Sequence, residues 1–258
     1  MGDRAAEIQQ GIRCAADIIR SSKRAIVLTG AGISTPSGVP DFRSSPSGLW
    51  QRYDPVEVAS LQAFRRDPEK FYHWMRPLAR RMVLAKPNVA HIGLAVLERA
   101  GFIKTLITQN IDTLHQRAGT TQVLEVHGTL RTLSCLNCYR HVDSSGYLED
   151  YVETGCIPHC PQCNGVLKPD IILFGEQLPA RTWLKAQEAS KECDLMLVAG
   201  SSLEVLPVAG LPMRSLESGA HLIIINQSPT YIDIRADIVF TSDVIEIIPR
   251  LVTEVLGA

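Results

Sequence analysis

Short apolar runs separated by helical segments constrain the fold of this chain more than any other feature. The runs are Ala25–Leu28, Thr105–Thr108, Val123–Val126, Ile171–Phe174, Leu195–Ala199, Leu222–Ile225 and Ile238–Phe240. Most of them are continuously apolar rather than alternating, which is typical of strands buried on both faces of a parallel sheet. Helices are predicted between them, at about residues 3–20, 88–100, 180–190, 207–218 and 243–256, with Asn88, Pro179 and Asp243 near three of the starts. Strands that alternate with helices in this way predict a doubly wound α/β domain.

Two stretches interrupt that alternation and predict a smaller inserted domain. Residues 36–85 read as a flexible loop followed by a helical insert, and residues 131–169 hold most of the cysteines and few apolar residues. We therefore expect a Rossmann-like domain made of residues 1–35, 86–130 and 170–258, with the two insertions forming a small second domain. The cleft between the domains is then the natural ligand site.

Charge and apolar content argue against several classes of protein. The 258 residues carry a formal net charge of −1, which gives no indication of binding to nucleic acid or to an anionic membrane. No apolar run approaches the ~20 residues that a membrane-spanning helix needs, and the N-terminal segment lacks the apolar stretch of a secretory signal. We therefore expect a cytoplasmic protein, and we expect it to be a monomer.

The cysteines predict a structural metal site. Cys135-x2-Cys138 and Cys160-x2-Cys163 form two pairs separated by 21 residues, a spacing close to that of zinc ribbons. Four thiolates fill the tetrahedral shell of Zn²⁺ and leave no position for a substrate, so the metal would stabilise the insert rather than take part in catalysis. Cys156 is an alternative fourth ligand, although its spacing from Cys160 fits a knuckle less well.

The stretch GAGISTPSGVPDFR, residues 30–43, follows the first apolar run. Gly30-x-Gly32-x-x-Thr35 resembles the dinucleotide-binding turn, in which glycines let the backbone approach a pyrophosphate. Thr35 replaces the third glycine, however, and no strand ending in an acid follows about 20 residues later, as a dehydrogenase would require. A phosphate-binding turn and an ordinary strand-to-loop turn are both open from these residues alone.

Phe42 and Arg43 end this stretch in a segment punctuated by Gly38, Pro40 and Gly48. Such a segment could close over a ligand, with Arg43 clamping a phosphate and Phe42 forming a hydrophobic plate. The alternative makes Phe42 a core anchor and Arg43 a solvated charge.

Polar residues follow several of the predicted strands. Gln109, Asn110 and Asp112 come directly after Thr105–Thr108, and helix capping would explain only one of the three. Gly200, Ser201, Ser202 and Asn226 follow two later strands, where they could bind phosphate or ribose or form plain turns. Because carboxyl ends of parallel strands share one edge of a sheet, these groups point to a single site.

His127 is the candidate general base among seven histidines. It lies at the end of the strand Val123–Val126, and an imidazole with an ordinary pKa near 6.5 can take a proton near neutral pH. His91, His115 and His221 are candidates for structural roles.

Together these motifs resemble the sirtuins, which are NAD-dependent protein lysine deacylases. The resemblance runs from about Arg24 to Val244, and the motifs that carry it are GAGIS…GVPDFR, TQNID, VHG at 126–128, the two Cys-x-x-Cys pairs, PDIILFGE at 169–176 and GSSLEV at 200–205. It implies that NAD is consumed as a co-substrate, that one structural Zn²⁺ is bound, and that acetylated lysines of proteins or peptides are the partners.

The resemblance also implies roles for individual residues. Ala31, Thr35 and Arg43 would hold the phosphates and Phe42 would shield the reactive face of the sugar. Asn110 would lie by the ribose, and Ile111 and Asp112 would hold the nicotinamide carboxamide. The adenosine side would be lined by Ser201, Ser202, Asn226, Asp243 and Val244, and Gly30, Gly32, Gln109 and Gly200 would complete the cofactor site. His127 would take a proton from a ribose hydroxyl. The peptide would pair with the segments that contain Ile172, Phe174, Gly175, Glu204 and Val205.

One position bears on the acyl group. Sirtuins that prefer acidic acyl chains carry a Tyr and an Arg three residues apart, whereas here Tyr72 is followed at that offset by Met75, with Arg76 one place later. We therefore expect a deacetylase, or a deacylase for longer apolar chains. A mono-ADP-ribosyltransferase and a binding module that does not turn over NAD are the alternatives.

Overall fold

The computed structural model describes residues 2–41 and 53–257. Its strands are β1 (Ala25–Thr29), β2 (Ile103–Thr108), β3 (Val123–Glu125), β4 (Gly128–Cys135), β5 (His141–Asp143), β6 (Leu167–Ile171), β7 (Leu195–Ala199), β8 (His221–Asn226) and β9 (Ile238–Thr241). Six of them form a parallel sheet in the order β3-β2-β1-β7-β8-β9. This is the doubly wound arrangement that the sequence predicted, and the strand order reverses between β1 and β7.

The described helices comprise those that cover the sheet, which begin close to the predicted positions, and others that belong to the inserted segments. In chain order they are α1 (Gly2–Ser21), α2 (Pro55–Ala59), α3 (Leu61–Arg66), α4 (Pro68–Leu84), α5 (Val89–Arg99), α6 (Leu114–Arg117), α7 (Ser145–Thr154), α8 (Ala180–Glu192), α9 (Leu211–Glu217) and α10 (Val244–Leu256). The side chain of Asn88 accepts from the backbone N–H of Ala90 at the start of α5, and that of Asp243 accepts from Ile245 at the start of α10. None of these helices is both long and apolar enough to cross a membrane.

The sheet is buried on both faces, which explains its continuously apolar strands. Val27 of β1 packs into a cluster with α1, α5 and α10, whereas its neighbours Ile26 and Leu28 pack on the opposite face with α8 and α9. All five residues of β1 and all five of β7 are buried. Successive side chains of a strand point to opposite faces, so a strand between two helical layers must be apolar at every position.

A smaller antiparallel sheet has the order β5-β4-β6 and packs with α4 and α7. One prediction is wrong here: Ile171–Phe174 is not a strand of the parallel sheet. Instead β6 ends at Ile171 and pairs with β4, and the chain then leaves the sheet. The run is apolar because Ile171 and Leu173 pack in the core of the small lobe, together with Phe71 and Met75.

The two inserted segments pack against each other in a small lobe. The segment that contains α2, α3 and α4 and the segment that contains β4 to β6 form one small lobe, joined where Arg76 donates to the carbonyl oxygens of Val152 and Glu153. Strand β4 spans the predicted boundary between residues 130 and 131, and β6 spans the one between 169 and 170. The boundary residues themselves stay a prediction.

Candidate active site

Two glycine turns interlock where the strand order reverses. The N–H of Gly32, after β1, donates to the carbonyl oxygen of Gly200, after β7, at 2.8 Å. Gly200 has a φ of +61°, and a Cβ atom placed on it would lie 2.3 Å from the backbone nitrogen of Ile33. The two turns therefore pack backbone against backbone, and they form the floor of a crevice at the carboxyl ends of the strands.

A polar cleft opens above these turns. It is lined by most of the predicted cofactor residues, namely Gly30, Ala31, Gly32, Thr35, Gln109, Asn110, Gly200, Ser201, Ser202, Asn226, Asp243 and Val244. Two 3-10 turns, Ala31–Ile33 and Thr35–Ser37, stand in place of the phosphate-binding helix of a dehydrogenase. Hydroxyl, amide and backbone groups of this kind suit the ribose and phosphate groups of a dinucleotide.

The sequence analysis missed four residues that line this cleft, and it assigned to the cofactor site two residues that do not line it. Asp41, Gln227, Ser228 and Ser242 also line it, and the last three follow β8 and β9, so the rule of polar strand ends could have found them. Phe42 and Arg43 lie outside the described residues. Ile111 and Asp112 are not among the residues that line this cleft.

His127 lies between β3 and β4 and lines two clefts at once. Its Nδ1 lies 3.1 Å from the carbonyl oxygen of Gln109. Because a carbonyl can only accept, Nδ1 carries the proton and Nε2 is the basic nitrogen of the neutral ring. The carbonyl oxygen of His127 accepts from the N–H of Ile172 at 2.8 Å. His127 is thereby bonded on two sides, through its ring to Gln109 and through its backbone to Ile172.

Gly128 follows His127 for a steric reason rather than for flexibility. Its φ is +79°, and a Cβ atom there would lie 2.0 Å from the carbonyl oxygen of Asp170. Only glycine lets β4 and β6 approach this closely, with Gly128 paired to Ile171. The same approach brings Ile172 to His127.

The second cleft is apolar and has a volume of about 740 Å³. His127, Ile172, Phe174, Gly175 and Val205 line it, as do Trp74, Met75 and Leu78 of α4, Ile111, and Trp183 and Leu184 of α8. Four of the five predicted peptide-contact residues are in this set, and Glu204 is not. The N–H of Phe174 donates to Ala59 and its carbonyl oxygen accepts from Leu61, so a peptide would meet Phe174 through its half-exposed side chain.

Asn110 and Asp112 belong to a hydrogen-bonded network at the floor of the polar cleft. The amide nitrogen of Asn110 donates to the carbonyl oxygen of Gly30 at 3.0 Å and to Ser34 Oγ at 3.1 Å. Ser34 in turn donates to Asp112 at 2.6 Å, and Asp112 also accepts from the N–H of Leu114 at 2.9 Å. Burial raises the pKa of Asp112, and the two hydrogen bonds oppose that shift. Capping of α6 thus explains part of the role of Asp112 but not Asn110.

His91 and His115 lie below this network in the protein interior. The Nδ1 atom of His91 accepts from the N–H of Asn88 at 3.4 Å, and its Nε2 lies 3.4 Å from Ser34 Oγ. Burial lowers the pKa of His91 to about 4, and it lowers the pKa of His115 well below its usual value. His221 is exposed and pairs with Asp237 at 2.9 Å. These three histidines lie outside both clefts.

The four paired cysteines converge on one point of the small lobe. Their sulfur atoms all lie within 4.8 Å of one another, with Cys135 3.4 Å from Cys163 and Cys138 3.5 Å from Cys160. Sulfur ligands about 2.3 Å from a tetrahedral zinc ion lie about 3.8 Å apart, so the cluster fits Zn²⁺. Cys156 is exposed and is not part of this group.

A model of the Sir2 family matches residues 30–207, more than half of the chain. The chain belongs to the Sir2 family. It is 46% identical over 249 residues to NAD-dependent protein deacylase 2 of Archaeoglobus fulgidus, covering 96% of this chain and 97% of the relative. It is 45% identical over 236 residues to an NAD-dependent protein deacetylase of Sulfurisphaera tokodaii, covering 92% of each. A solved Sir2 variant with a deacetylated p53 peptide and 3'-O-acetyl ADP-ribose matches with a TM-score of 0.86 and 39% identity, covering 93% of this chain and 96% of that chain.

In this Sir2 protein Tyr72 and Arg76 of α4 are not among the residues that line the apolar cleft. The hydroxyl of Tyr72 is buried and donates to the carbonyl oxygen of Leu167 at 2.6 Å, and Arg76 is bonded to α7. Met75 lines the cleft in their place. No Lys or Arg is among the described residues that line it.

Proposed function

We infer that this Sir2 protein is an NAD-dependent protein lysine deacetylase, which transfers the acetyl group of acetyl-lysine to ADP-ribose and releases nicotinamide. The observation that carries the proposal is the position of His127, which lines both the polar cleft and the apolar cleft. A dinucleotide in the first cleft and an acyl-lysine in the second would meet at this imidazole. The named activities of the two relatives and the products held in the solved Sir2 variant agree with this assignment.

The chemistry requires orientation and electrostatic stabilisation more than a protein nucleophile. When the bond between the ribose and nicotinamide breaks, positive charge develops on the sugar, and the carbonyl oxygen of the acetyl-lysine attacks that carbon. Nε2 of His127 would then accept a proton from a ribose hydroxyl, whose oxygen attacks the former amide carbon. The C–N bond to the lysine would break as a proton passes to the departing amine, and addition of water would leave the acetyl ester on the sugar beside the free lysine. The Gln109 carbonyl holds the ring in the required tautomer. Asn110 would orient the ribose, because its amide is fixed by Gly30 and Ser34.

The two ligands would occupy the clefts as follows. The phosphates would bind Ala31 and Thr35 with Arg43, and Phe42 would cover the sugar. The nicotinamide carboxamide would bind at Ile111 and Asp112, and the adenosine at Ser201, Ser202, Asn226, Asp243 and Val244. Acylated peptides would lie along Ile172, Phe174, Gly175, Glu204 and Val205. The apolar lining of the second cleft, with no Lys or Arg among the described residues that form it, supports acetyl and longer apolar chains as substrates in preference to succinyl.

The finer expectations about partners and location remain part of the proposal. The near-neutral net charge supports a protein that does not bind nucleic acid. The Cys-x-x-Cys pairs support a reducing compartment such as the cytoplasm. We also propose that the protein is a monomer.

Replacing His127 tests the proposal. In His127→Ala, nicotinamide release that depends on acetylated peptide should fall by about 100-fold or more, whereas NAD should still bind. His221→Ala is the matched control because that histidine is exposed and lies outside both clefts. Full turnover in His127→Ala, or equal losses in both variants, would exclude the assigned role.

A further inference from the structure

Lys168 of β6 is a buried cation that lies outside both clefts. It is 5% exposed, and it is not among the residues that line the polar or the apolar cleft. Its Nζ donates to the carbonyl oxygen of Pro169 at 3.0 Å, to that of Ile171 at 2.9 Å, and to Glu176 Oε2 at 3.0 Å. An ammonium group has three protons, so this set satisfies all of them.

Glu176 joins Lys168 to the segment that follows β6 through hydrogen bonds. The carboxylate oxygen that pairs with Lys168 also accepts from the N–H of Leu173 at 2.8 Å. The backbone N–H of Glu176 donates to the carbonyl oxygen of Leu173 at 3.0 Å. The pair thus ties the end of β6 to the turn at residues 173–176.

The residues between Lys168 and Glu176 form a wall of the apolar cleft, and Glu176 itself also lines that cleft. Ile172, Leu173, Phe174 and Gly175 all line it, and the N–H of Ile172 bonds to the carbonyl oxygen of His127. A shift of the loop would therefore move the wall that faces the acyl-lysine. The polar cleft on the other side of His127 includes none of these four residues.

Stability alone gives a weak reason for a charged pair at this place. The side chains of Lys168 and Glu176 are 6% and 17% exposed, and desolvation of two charges offsets most of their attraction. Apolar residues of similar volume would serve the core at least as well. What they could not supply is the set of directed bonds to Pro169, Ile171 and Leu173.

We propose that Lys168 is a positioning residue for the acylated peptide, acting through Glu176 and the wall formed by residues 172–176. This proposal rests on the proposed function, since it assigns the apolar cleft to the peptide. The proposal predicts different effects on the two ligands. Loss of the ion pair weakens peptide binding and leaves NAD affinity unchanged.

Calorimetric titration of Lys168→Met with an acetyl-lysine peptide, and separately with NAD, tests the proposal. The peptide Kd should rise by about tenfold and the NAD Kd should stay within about twofold. Lys70→Met is the matched control, because Lys70 forms an exposed ion pair with Glu57 and should leave both constants unchanged. Equal weakening of both ligands, or an unchanged peptide Kd, would overturn the proposal.

The double variant Lys168→Met/Glu176→Leu separates positioning from stability. It leaves no buried charge without a partner, so its Tm should exceed that of Lys168→Met, while its peptide Kd stays raised by about tenfold. Recovery of both quantities would show that the pair is only structural. If the wild-type protein binds the peptide but does not deacetylate it, the proposed function fails while the binding test of the pair still stands.

Discussion

At the scale of single residues, the site depends on positions that only glycine can occupy, because any Cβ atom there would meet backbone atoms. At Gly200 the backbone has a positive φ and lies against the turn that follows β1. Gly128 meets the carbonyl oxygen of Asp170 in the same way. The sequence indicated that both glycines follow strands, but the crowding that requires them comes from segments distant in the chain. That part could not be predicted from local pattern.

Gly200→Ala should destabilise the protein by about 2 kcal/mol or more, because the new Cβ meets backbone atoms that cannot move independently. NAD affinity should fall together with the Tm, since the two interlocked turns form the floor of the polar cleft. Gly210→Ala provides the control, because a Cβ atom there meets nothing within 4 Å. Thermal unfolding and NAD titration measure both effects. Equal Tm values for the two variants would contradict this account of the turns.

The buried His91 predicts a dependence of stability on pH. Its pKa is about 4 in the folded protein, against about 6.5 when unfolded, so the unfolded state binds the proton first as the pH falls. The stabilisation is complete above pH 6.5 and is lost between pH 6.5 and 4, in total about 3 kcal/mol.

In His91→Gln, stability should therefore fall less between pH 6.5 and 4 than it does in the wild type. Denaturant unfolding at a series of pH values measures the difference. Loss of zinc on acidification affects both proteins equally and cancels in the comparison. If the free energies of unfolding of the two proteins changed in parallel with pH, His91 would have the same pKa in the folded and unfolded states, which would contradict the prediction.

At the scale of elements, the sequence predicted the parallel sheet well and the small sheet poorly. Strands such as β1 are buried on both faces, and a continuous apolar run reports that directly. Strand β4 instead alternates buried and partly exposed residues and sits beside cysteines, so its apolar content is low. The sequence pattern predicts Ile171–Phe174 as a strand of the parallel sheet, because an apolar run that lines a cleft has the same composition as a buried strand. In the structure only Ile171 is in a strand, and that strand belongs to the small sheet.

The small sheet should depend on its metal. Cys135 and Cys160 are buried with Leu133 and Leu167 in a cluster too small to form a core of its own. Cys135→Ser should lose about one equivalent of zinc, measured by elemental analysis, and should unfold at a lower temperature. Cys156→Ser should keep both the zinc and the Tm. Zinc loss in Cys156→Ser would show that the ligand set is wrong.

At the scale of the whole molecule, the site is a meeting of two lobes at His127. The glycine turn after β1 and the rule that polar groups gather at the carboxyl ends of parallel strands together predicted much of the polar cleft, whereas Asp243 and Val244 were implied only by the resemblance to sirtuins. They could not show that the same histidine lines an apolar cleft, because that depends on how β4 and β6 bring Ile172 to its carbonyl oxygen. Lys168 escaped notice for the same reason, since nothing in its neighbourhood in sequence indicates a buried ion pair.

The central claim is that the acyl group moves to the sugar of NAD at this junction. Mass spectrometry of a mixture of the zinc-loaded protein, NAD and an acetyl-lysine peptide tests it most directly. We predict equal amounts of deacetylated peptide, nicotinamide and acetyl-ADP-ribose. ADP-ribose attached to a peptide that keeps its acetyl group, or NAD left intact beside the peptide, would contradict the claim.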